Sequence, residues 1–300
     1  MNKKILFLSI FIFIIGLIGI CALLVIDYAV KRRKKDEPSF HLSPSQEKWL
    51  KQQQIEHVQI TSFDGLMLRG LLIKAKQESD KMVIAIHGYR MNNLKEYAKY
   101  LQFYHDAGFH ILLPDNRAHG QSEGKYIGFG YLDKFDCLQC IDFVEKQSQK
   151  NIQIILHGIS MGSATVLMAS GEPLSQAVKC IISDCGYSSM MEEVKHAIQQ
   201  TPIPSIMMKP AAFLSRYRAG YDFKKVSTIE QVKKSHTPTL FIHGDQDNFV
   251  PTKMVYELYG ACPSQKELLI VKGAKHAQSF DVDPDLYQRT VLSFIQKYVK

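Results

Sequence analysis

Hydrophobic and polar positions divide the chain into one long apolar segment followed by many short apolar runs. The long segment begins at Ile5 and ends at Ile26 and contains no charged residue. The short runs alternate with helical patterns, which is typical of strands buried on both faces of a parallel sheet. The predicted strands cover residues 56–62, 67–74, 82–86, 110–113, 152–156, 178–183, 239–242 and 266–271. The alternation predicts an α/β fold with a mostly parallel, doubly wound sheet.

Capping and turn residues mark where several predicted elements begin and end. The predicted helices cover residues 43–54, 96–107, 132–149, 163–169, 190–200, 205–218 and 283–299. Ser43 is followed by Pro44 and, three residues on, by Gln46, which is the pattern of an N-cap with a capping box. Phe63-Asp64-Gly65 separates the first two strands and predicts a β-hairpin there.

The long apolar segment has the length of a membrane span, about 20 residues. The alternative is a cleaved signal peptide, whose apolar core is shorter, about 7–15 residues, and precedes a small-residue cleavage site. Residues 27–30, Asp-Tyr-Ala-Val, do not resemble such a site. We therefore predict an uncleaved single-pass anchor in the cell membrane. The basic residues at 31–35 outweigh Lys3 and Lys4, which places the rest of the chain in the cytoplasm and attracts anionic lipid head groups.

Composition is that of an ordinary globular protein, with 46% hydrophobic and 22% charged residues. The formal net charge is +8, but residues 1–35 hold seven Lys or Arg and one Asp. The basic character therefore belongs to the membrane flank, and we expect no nucleic-acid partner. We predict an anchor with its basic flank in residues 1–35, a linker and short helix in 36–57, and one large domain in 58–300.

The six cysteines do not form a metal or disulfide pattern. Cys137 and Cys140 share a C-x-x-C spacing on a predicted helix, but no second pair follows at zinc-finger spacing. We interpret them as structural thiols rather than metal ligands or redox groups. The sequence predicts no metal site and no disulfide framework.

The segment around Ser160 is organised as a strand, a sharp turn and a helix. Gly158, Ser160 and Gly162 match the G-x-S-x-G pattern of a nucleophile elbow. A serine at the tip of a strand occupies strained backbone geometry, and glycines on both sides let strand and helix pack closely behind it. We predict that Ser160 is a nucleophile.

A serine hydroxyl is a weak nucleophile and needs a histidine base, which in turn needs an acid to orient it. In folds with this elbow the chain order is Ser, then Asp or Glu, then His. His276 follows the last predicted strand and is the leading base, with His119 as the alternative. The acid candidates are Asp184, Asp245 and Asp247, each of which lies just after a predicted strand.

These motifs together resemble the α/β-hydrolase superfamily from about residue 60 to the C-terminus. The chain is most similar to bacterial membrane-anchored serine hydrolases described as esterases or prolyl-oligopeptidase-like hydrolases. Their motif His-Gly-x-x-Asp-x-x-Val-Pro is met from His243 to Pro251. The resemblance implies Asp247 as the acid and His276 as the base. It also implies an oxyanion hole formed by the backbone N–H groups of Met161 and Tyr89.

The strand and helix alternation breaks between about residues 187 and 236, where two helical patterns are separated by a proline-containing turn. We interpret this region as a cap over the site, and Pro210 either kinks its second helix or marks where that helix begins. Met207 and Met208 are predicted to line an acyl tunnel, because flexible apolar side chains suit an acyl group. The alternative is that they pack the cap onto the body.

The sequence thus predicts a membrane-anchored serine hydrolase that cleaves carboxylic esters through an acyl-enzyme, without a metal or organic cofactor. A peptidase or an acyltransferase with the same triad remains an alternative, because substrate choice depends on the cap and loops. Residues 36–58 are too few for the large extra domain typical of prolyl-oligopeptidase-like peptidases. The alternative outside the enzymes is a catalytically silent binding module on the membrane.

Overall fold

A computed structural model describes residues 3–32, 41–148, 151–199, 206 and 208–300. The strands in these ranges are β1 (Ile55–Thr61), β2 (Met67–Ile73), β3 (Lys81–Ile86), β4 (His110–Pro114), β5 (Gln153–Ile159), β6 (Val178–Asp184), β7 (Thr239–Gly244) and β8 (Lys266–Val271). They form one sheet in the order β1-β2-β4-β3-β5-β6-β7-β8. β1 pairs with β2 and β2 with β4 in antiparallel fashion, and the remaining pairs are parallel. The predicted fold class is therefore confirmed.

Helices cover both faces of this sheet. They are α1 (Lys3–Val30), α2 (Pro44–Leu50), α3 (Asn93–Tyr97), α4 (Leu101–Asp106), α5 (Asp133–Gln147), α6 (Met161–Ala169), α7 (Met190–Gln199), α8 (Met208–Arg218), α9 (Thr228–Val232), α10 (Lys253–Ala261), α11 (Ser279–Val282) and α12 (Pro284–Ile295). One core cluster joins the sheet to α3, α4 and α12, and a second joins it to α5, α6 and α10. The sheet is therefore doubly wound, and the carboxyl ends of its parallel strands meet at one edge.

The predicted start of α2 agrees with the structure. The Ser43 hydroxyl accepts from the Gln46 N–H, and the Gln46 side chain accepts from the Ser43 N–H, so both halves of the capping box form. Trp49 on this helix meets His105 edge to face, with ring centroids 5.3 Å apart. The only tryptophan of the chain therefore packs on the domain.

The helix predicted over residues 96–107 is instead divided between α3 and α4. At the break, the Tyr100 N–H bonds to the carbonyl of Tyr97 at 2.8 Å, an i to i+3 contact that tightens the turn. Tyr97, Tyr100 and Tyr104 are fully buried and surround the ring of His157. We infer that packing four rings together favours the tighter turn over a continuous helix.

The cap region contains α7, α8, a 3-10 turn at Phe223–Lys225 and α9. Pro210 is the third residue of α8, in the first turn, where the N–H that proline lacks would have no partner within the helix. The predicted start of this helix at residue 205 falls among residues 200–205 and 207, which lie outside the described residues.

α1 is the one helix among the described residues that is long and apolar enough to cross a membrane, and a signal sequence meets the same criteria. It spans 28 residues. Ala22, Ile26 and Val30 on this helix are completely buried against the rest of the protein. The end of α1 is therefore part of the folded body.

Candidate active site

Ser160 occupies the sharp turn between β5 and α6. Its backbone has φ 56° and ψ −115°, in the region that non-glycine residues rarely adopt. The flanking glycines are required by close packing. A Cβ on Gly158 would lie 2.2 Å from the carbonyl oxygen of Gly162, and a Cβ on Gly162 would lie 1.9 Å from that of Ile86. The expected strained geometry is therefore present.

Two loops at the same edge of the sheet bring His276 and Asp247 to Ser160. His276 follows β8 and Asp247 follows β7. The Nε2 atom of His276 lies 2.9 Å from the Ser160 hydroxyl, and its Nδ1 atom lies 2.8 Å from Oδ2 of Asp247. The three residues form a continuous hydrogen-bonded chain, although they are widely separated in sequence.

Asp247 is held as a carboxylate by its surroundings. Its burial opposes ionisation, but hydrogen bonds to His243 and His276 outweigh that effect and hold the pKa of the carboxyl well below its usual range. Oδ1 also accepts from the N–H groups of Phe249 and Val250. The Asp247 carboxyl is therefore both favoured in its ionised form and fixed in position.

The alternative acids and base have other partners. Asp245 accepts from the Gly273 N–H at 2.6 Å, while Asp184 accepts from the Tyr287 hydroxyl at 3.0 Å. His119 uses both ring nitrogens, because Nε2 accepts from the Arg90 N–H and Nδ1 meets the carbonyl of Arg117. These side-chain contacts do not involve Ser160 or His276, although the backbone carbonyl of Asp184 accepts from the Ser160 N–H at 2.9 Å.

Three other histidines near the strand ends are fully buried. His87 accepts from the Asn116 N–H, and His157 meets the hydroxyls of Tyr104 and Tyr287. Burial lowers the pKa of His87 to about 4 and that of His157 to about 3. The third, His243, lies 3.2 Å from Asp247 on the side away from solvent.

Of the two residues predicted to supply oxyanion donors, Met161 directly follows Ser160, and Tyr89 follows Gly88, which packs against Ser160. Met161 is the first residue of α6, where backbone N–H groups point away from the helix and favour negative charge. A Cβ on Gly88 would lie 3.3 Å from the Cβ of Ser160. Arg90 has φ 57° and its N–H is held by His119, so the loop has a defined shape.

Three features of this region carry no signal in the sequence. Phe249 lies against His276, with ring centroids 4.7 Å apart. Burial and, to a smaller extent, the negative charge of nearby Asp247 raise the pKa of the Glu193 carboxyl on α7 to about 8. Tyr89 bonds to the carbonyl of Ala29 in α1. Each contact joins segments far apart in the chain, so no local pattern reveals it.

Of the two methionines predicted to line an acyl tunnel, one lies within the described residues. Met208 is the first residue of α8 and is partly buried, whereas Met207 lies outside the described residues. The core of the cap is formed by a cluster that includes Met161, Tyr187, Met190, Ala211 and Ala212. Apolar side chains therefore line the cap next to Ser160, and the tunnel stays a prediction.

One group of metal-ligating side chains appears in the described ranges, namely Cys185, Asp247 and His276. Both His276 nitrogens already meet Asp247 and Ser160. Burial raises the pKa of the Cys185 thiol well above its ordinary value, which disfavours the thiolate that a metal requires. The group is better explained by the hydrogen-bonded chain than by a metal site.

Comparison with known proteins identifies the family. A model of the prolyl oligopeptidase family matches residues 95–300. The chain belongs to this family of serine hydrolases. It is also 30% identical over 238 residues to the uncharacterized protein YqkD of Bacillus subtilis (strain 168), covering 79% of this chain and 77% of that protein.

Three solved structures share the α/β-hydrolase fold. The Pyrococcus furiosus esterase Pf2001 has a TM-score of 0.71 at 22% identity, covering 87% of this chain and 98% of that one. Est1E of Butyrivibrio proteoclasticus, solved with ferulic acid bound, has a TM-score of 0.66 at 19% identity over 81% and 99%. The Pyrococcus horikoshii acylaminoacyl peptidase has a TM-score of 0.63 at 19% identity, over 86% of this chain but 44% of that one.

Proposed function

We propose that this protein hydrolyses carboxylic esters by a Ser160–His276–Asp247 mechanism at a membrane. The observation that carries the proposal is the hydrogen-bonded chain from Ser160 through His276 to Asp247 at a strained elbow. This arrangement is the geometry by which a serine hydroxyl becomes a nucleophile.

In the first step His276 Nε2 takes the hydroxyl proton as Ser160 Oγ attacks the acyl carbonyl. Asp247 fixes the imidazole tautomer and stabilises the imidazolium that forms. The imidazolium then gives its proton to the leaving alcohol, and the acyl group stays on Ser160. Water activated by His276 hydrolyses this acyl-enzyme and regenerates the free serine.

The tetrahedral intermediates carry a negative oxygen, which the N–H groups of Met161 and Tyr89 are proposed to bind. The N-terminus of α6 adds a favourable dipole at the same point. Donors of this kind are fixed before the reaction begins, and the loss of one typically costs about 2.7–4 kcal/mol of transition-state stabilisation.

Structural similarity supports an ester substrate, because the chains of the esterase Pf2001 and of Est1E align with this chain over almost their whole length. The acylaminoacyl peptidase is more than twice as long as its aligned part. Ferulic acid in Est1E is a small carboxylic acid and therefore corresponds to the acyl product of an ester. We infer that a small-molecule ester is the substrate class.

The test uses the full chain and p-nitrophenyl esters of increasing acyl length. We expect turnover by the wild type and a loss of it in Ser160→Ala, whose fold is checked by thermal unfolding. Replacing Met208 with Ser should shift the preferred acyl length if Met208 lines the acyl site. An unchanged chain-length profile would overturn the Met208 assignment alone.

The peptidase alternative is separated from the esterase by a matched pair of substrates. A p-nitrophenyl ester and the p-nitroanilide of the same acyl group differ only in the bond cleaved. Preference for the anilide would favour a peptidase. If the folded wild type also failed to react with a fluorophosphonate probe that labels a control hydrolase, the silent binding module would be the better description.

A further inference from the structure

α1 consists of two parts with different surroundings. From residue 3 to residue 21 its residues are exposed, apart from the partly exposed Gly19. From Ala22 onward every fourth residue, Ala22, Ile26 and Val30, is completely buried. The helix therefore stands clear of the domain for its first part and packs on it for its last part.

The buried face of α1 packs on the cap and on the candidate active site. Ala22, Ile26 and Val30 share a cluster with Met161 of the elbow and with the small residue Ala212 of α8. Small residues let two helices approach closely. The last part of α1 is thus one wall of the cap.

Polar contacts also hold the last part of α1 against the cap and the loop of Tyr89. Arg218 of α8 donates from Nε to Oδ1 of Asp27 at 2.7 Å, and its Nη2 atom donates to Oδ2 of the same carboxylate. Tyr89 donates from its hydroxyl to the carbonyl of Ala29, and Arg90 donates to that of Tyr28. The loop beside Ser160 and the cap are both attached to α1.

The length of the exposed part sets the distance between the active site and the bilayer. At 1.5 Å per residue, residues 5–21, which carry no charge, span roughly 26 Å. The hydrocarbon core of a bilayer is about 30 Å thick. When this part fills the hydrocarbon, Ala22 lies at its boundary, and the cap and the loop of Tyr89 lie at the level of the lipid head groups.

The exposed surface of α8 suits such a position. Phe213 and Tyr217 are 52% and 73% exposed, one helical turn apart on the side away from the buried Ala211 and Ala212. The Arg216 guanidinium lies 4.2 Å from the centre of the Phe213 ring and 5.4 Å from that of Tyr217. Aromatic rings with adjacent basic groups are typical of the membrane–water interface.

We propose that the active site opens toward the lipid leaflet around α1 and takes an amphiphilic carboxylic ester from it. This inference rests on the proposed esterase function and specifies its substrate. The ester C–O bond breaks and the acyl group passes to Ser160 Oγ. The alcohol leaves with the proton held by His276, and water then releases the carboxylic acid. The apolar cap next to α1 receives the acyl chain without moving it through bulk water.

The first test measures whether the reaction rate depends on the concentration of the ester within the bilayer or on its total concentration in the sample. The full chain is reconstituted in phosphatidylcholine vesicles that carry a long-chain 4-methylumbelliferyl ester. Total ester is held constant while its mole fraction in the bilayer is raised by adding less phospholipid. A tenfold higher mole fraction should raise the rate about tenfold while the site is unsaturated.

A rate that stays constant at constant total ester, whatever the mole fraction in the bilayer, would overturn the inference. Water-soluble p-nitrophenyl acetate is measured in the same vesicles as the control for chemistry. Hydrolysis of the acetate together with indifference to mole fraction leaves the esterase standing and removes the leaflet substrate. If neither ester reacts, the proposed esterase function fails as well.

The second test measures contact with lipid directly and does not depend on activity. In a Trp49→Phe background, which removes the only tryptophan, Tyr217→Trp reports from α8. Tyr298→Trp is the matched control, because Tyr298 bonds to Gln265 just before β8, at the opposite edge of the sheet. We expect lipids brominated near the head group to quench the first tryptophan and not the second. Equal quenching, or none at position 217, would contradict the proposed orientation.

Discussion

The Tyr89 hydroxyl donates a 2.6 Å hydrogen bond to the carbonyl oxygen of Ala29, which lies 60 residues earlier in the chain. This contact joins the last turn of α1 to the loop whose N–H is a proposed oxyanion donor. Because the donor is a backbone group, removing the side-chain hydroxyl leaves it in place and changes only how firmly the loop is held.

We therefore expect Tyr89→Phe to lower kcat about 2- to 10-fold at an unchanged KM, since one hydrogen bond is worth about 0.5–1.5 kcal/mol. Steady-state kinetics on a p-nitrophenyl ester measure this effect. Tyr298→Phe is the control, because it removes a hydroxyl bonded to Gln265 far from the site. Equal losses in both variants would indicate a general effect on folding rather than on the loop.

The two aspartates in the loop after β7 should differ sharply. Asp247→Asn keeps the side-chain shape but favours the wrong tautomer of His276, so kcat should fall about 10⁴-fold. Asp245→Asn can still accept from the Gly273 N–H, so its kcat should stay within about threefold of wild type. Kinetics on the two purified variants decide the assignment. A larger loss in Asp245→Asn would be inconsistent with Asp247 as the acid.

The elbow leaves no room for a side chain at Gly162. In Gly162→Ala the new Cβ would lie 1.9 Å from the Ile86 carbonyl oxygen, and we expect a loss of about 3 kcal/mol or more in stability. A Cβ added at Gly260 in α10 would meet no atom within 4 Å, so Gly260→Ala should stabilise by about 0.5–1 kcal/mol. Denaturant unfolding measures both, and similar midpoints would contradict this packing argument.

Glu193 should make stability depend on pH. Burial raises its pKa from 4.5 to about 8, so the folded state keeps a proton that the unfolded state releases. The resulting stability is complete below pH 4.5 and is lost as the pH rises toward 8. The Tm of Glu193→Gln should therefore fall less than that of wild type between pH 5 and 8, at about 2–4 °C per kcal/mol.

Glu192 is the matched control for this measurement, because it neighbours Glu193 on α7 and its side chain is 51% exposed. Glu192→Gln should follow the wild-type pH profile. A Glu193→Gln profile that coincides with wild type would show that the carboxyl is ionised throughout and that the helix sits more loosely over Asp247.

The parts of this protein that follow from sequence are those whose cause is local. Alternation of apolar runs predicted the sheet, and the glycines around Ser160 predicted the turn, because each property acts over a few neighbouring residues. His276 was predicted as the base from its place after the last strand, since parallel strands end at one edge, whereas the same reasoning left Asp184, Asp245 and Asp247 open and only the resemblance to α/β-hydrolases selected Asp247. The contacts of His276 with Ser160 and Asp247 agree with that expectation, while the catalytic roles stay predictions.

The parts that did not follow depend on contacts between distant segments. The break between α3 and α4 depends on Tyr100 packing around His157, and nothing in residues 96–107 signals it. α9, α10 and α11 were not predicted, because two of them are only four or five residues long and such short patterns are ambiguous. The docking of Ala22 and Ile26 on the cap was hidden within a run that is apolar throughout, and Val30 lies just beyond that run.

The burial of Ala22, Ile26 and Val30 also limits how this protein can be engineered. A shortened chain that begins after α1 would uncover the apolar surface around Met161, and we expect it to aggregate or lose activity even when it is fused to a solubility tag. Replacing α1 with an unrelated apolar helix should fail in the same way unless these three positions are grafted into it. The end of α1 is therefore not interchangeable with another apolar helix, because its residues form part of the interior of the folded domain.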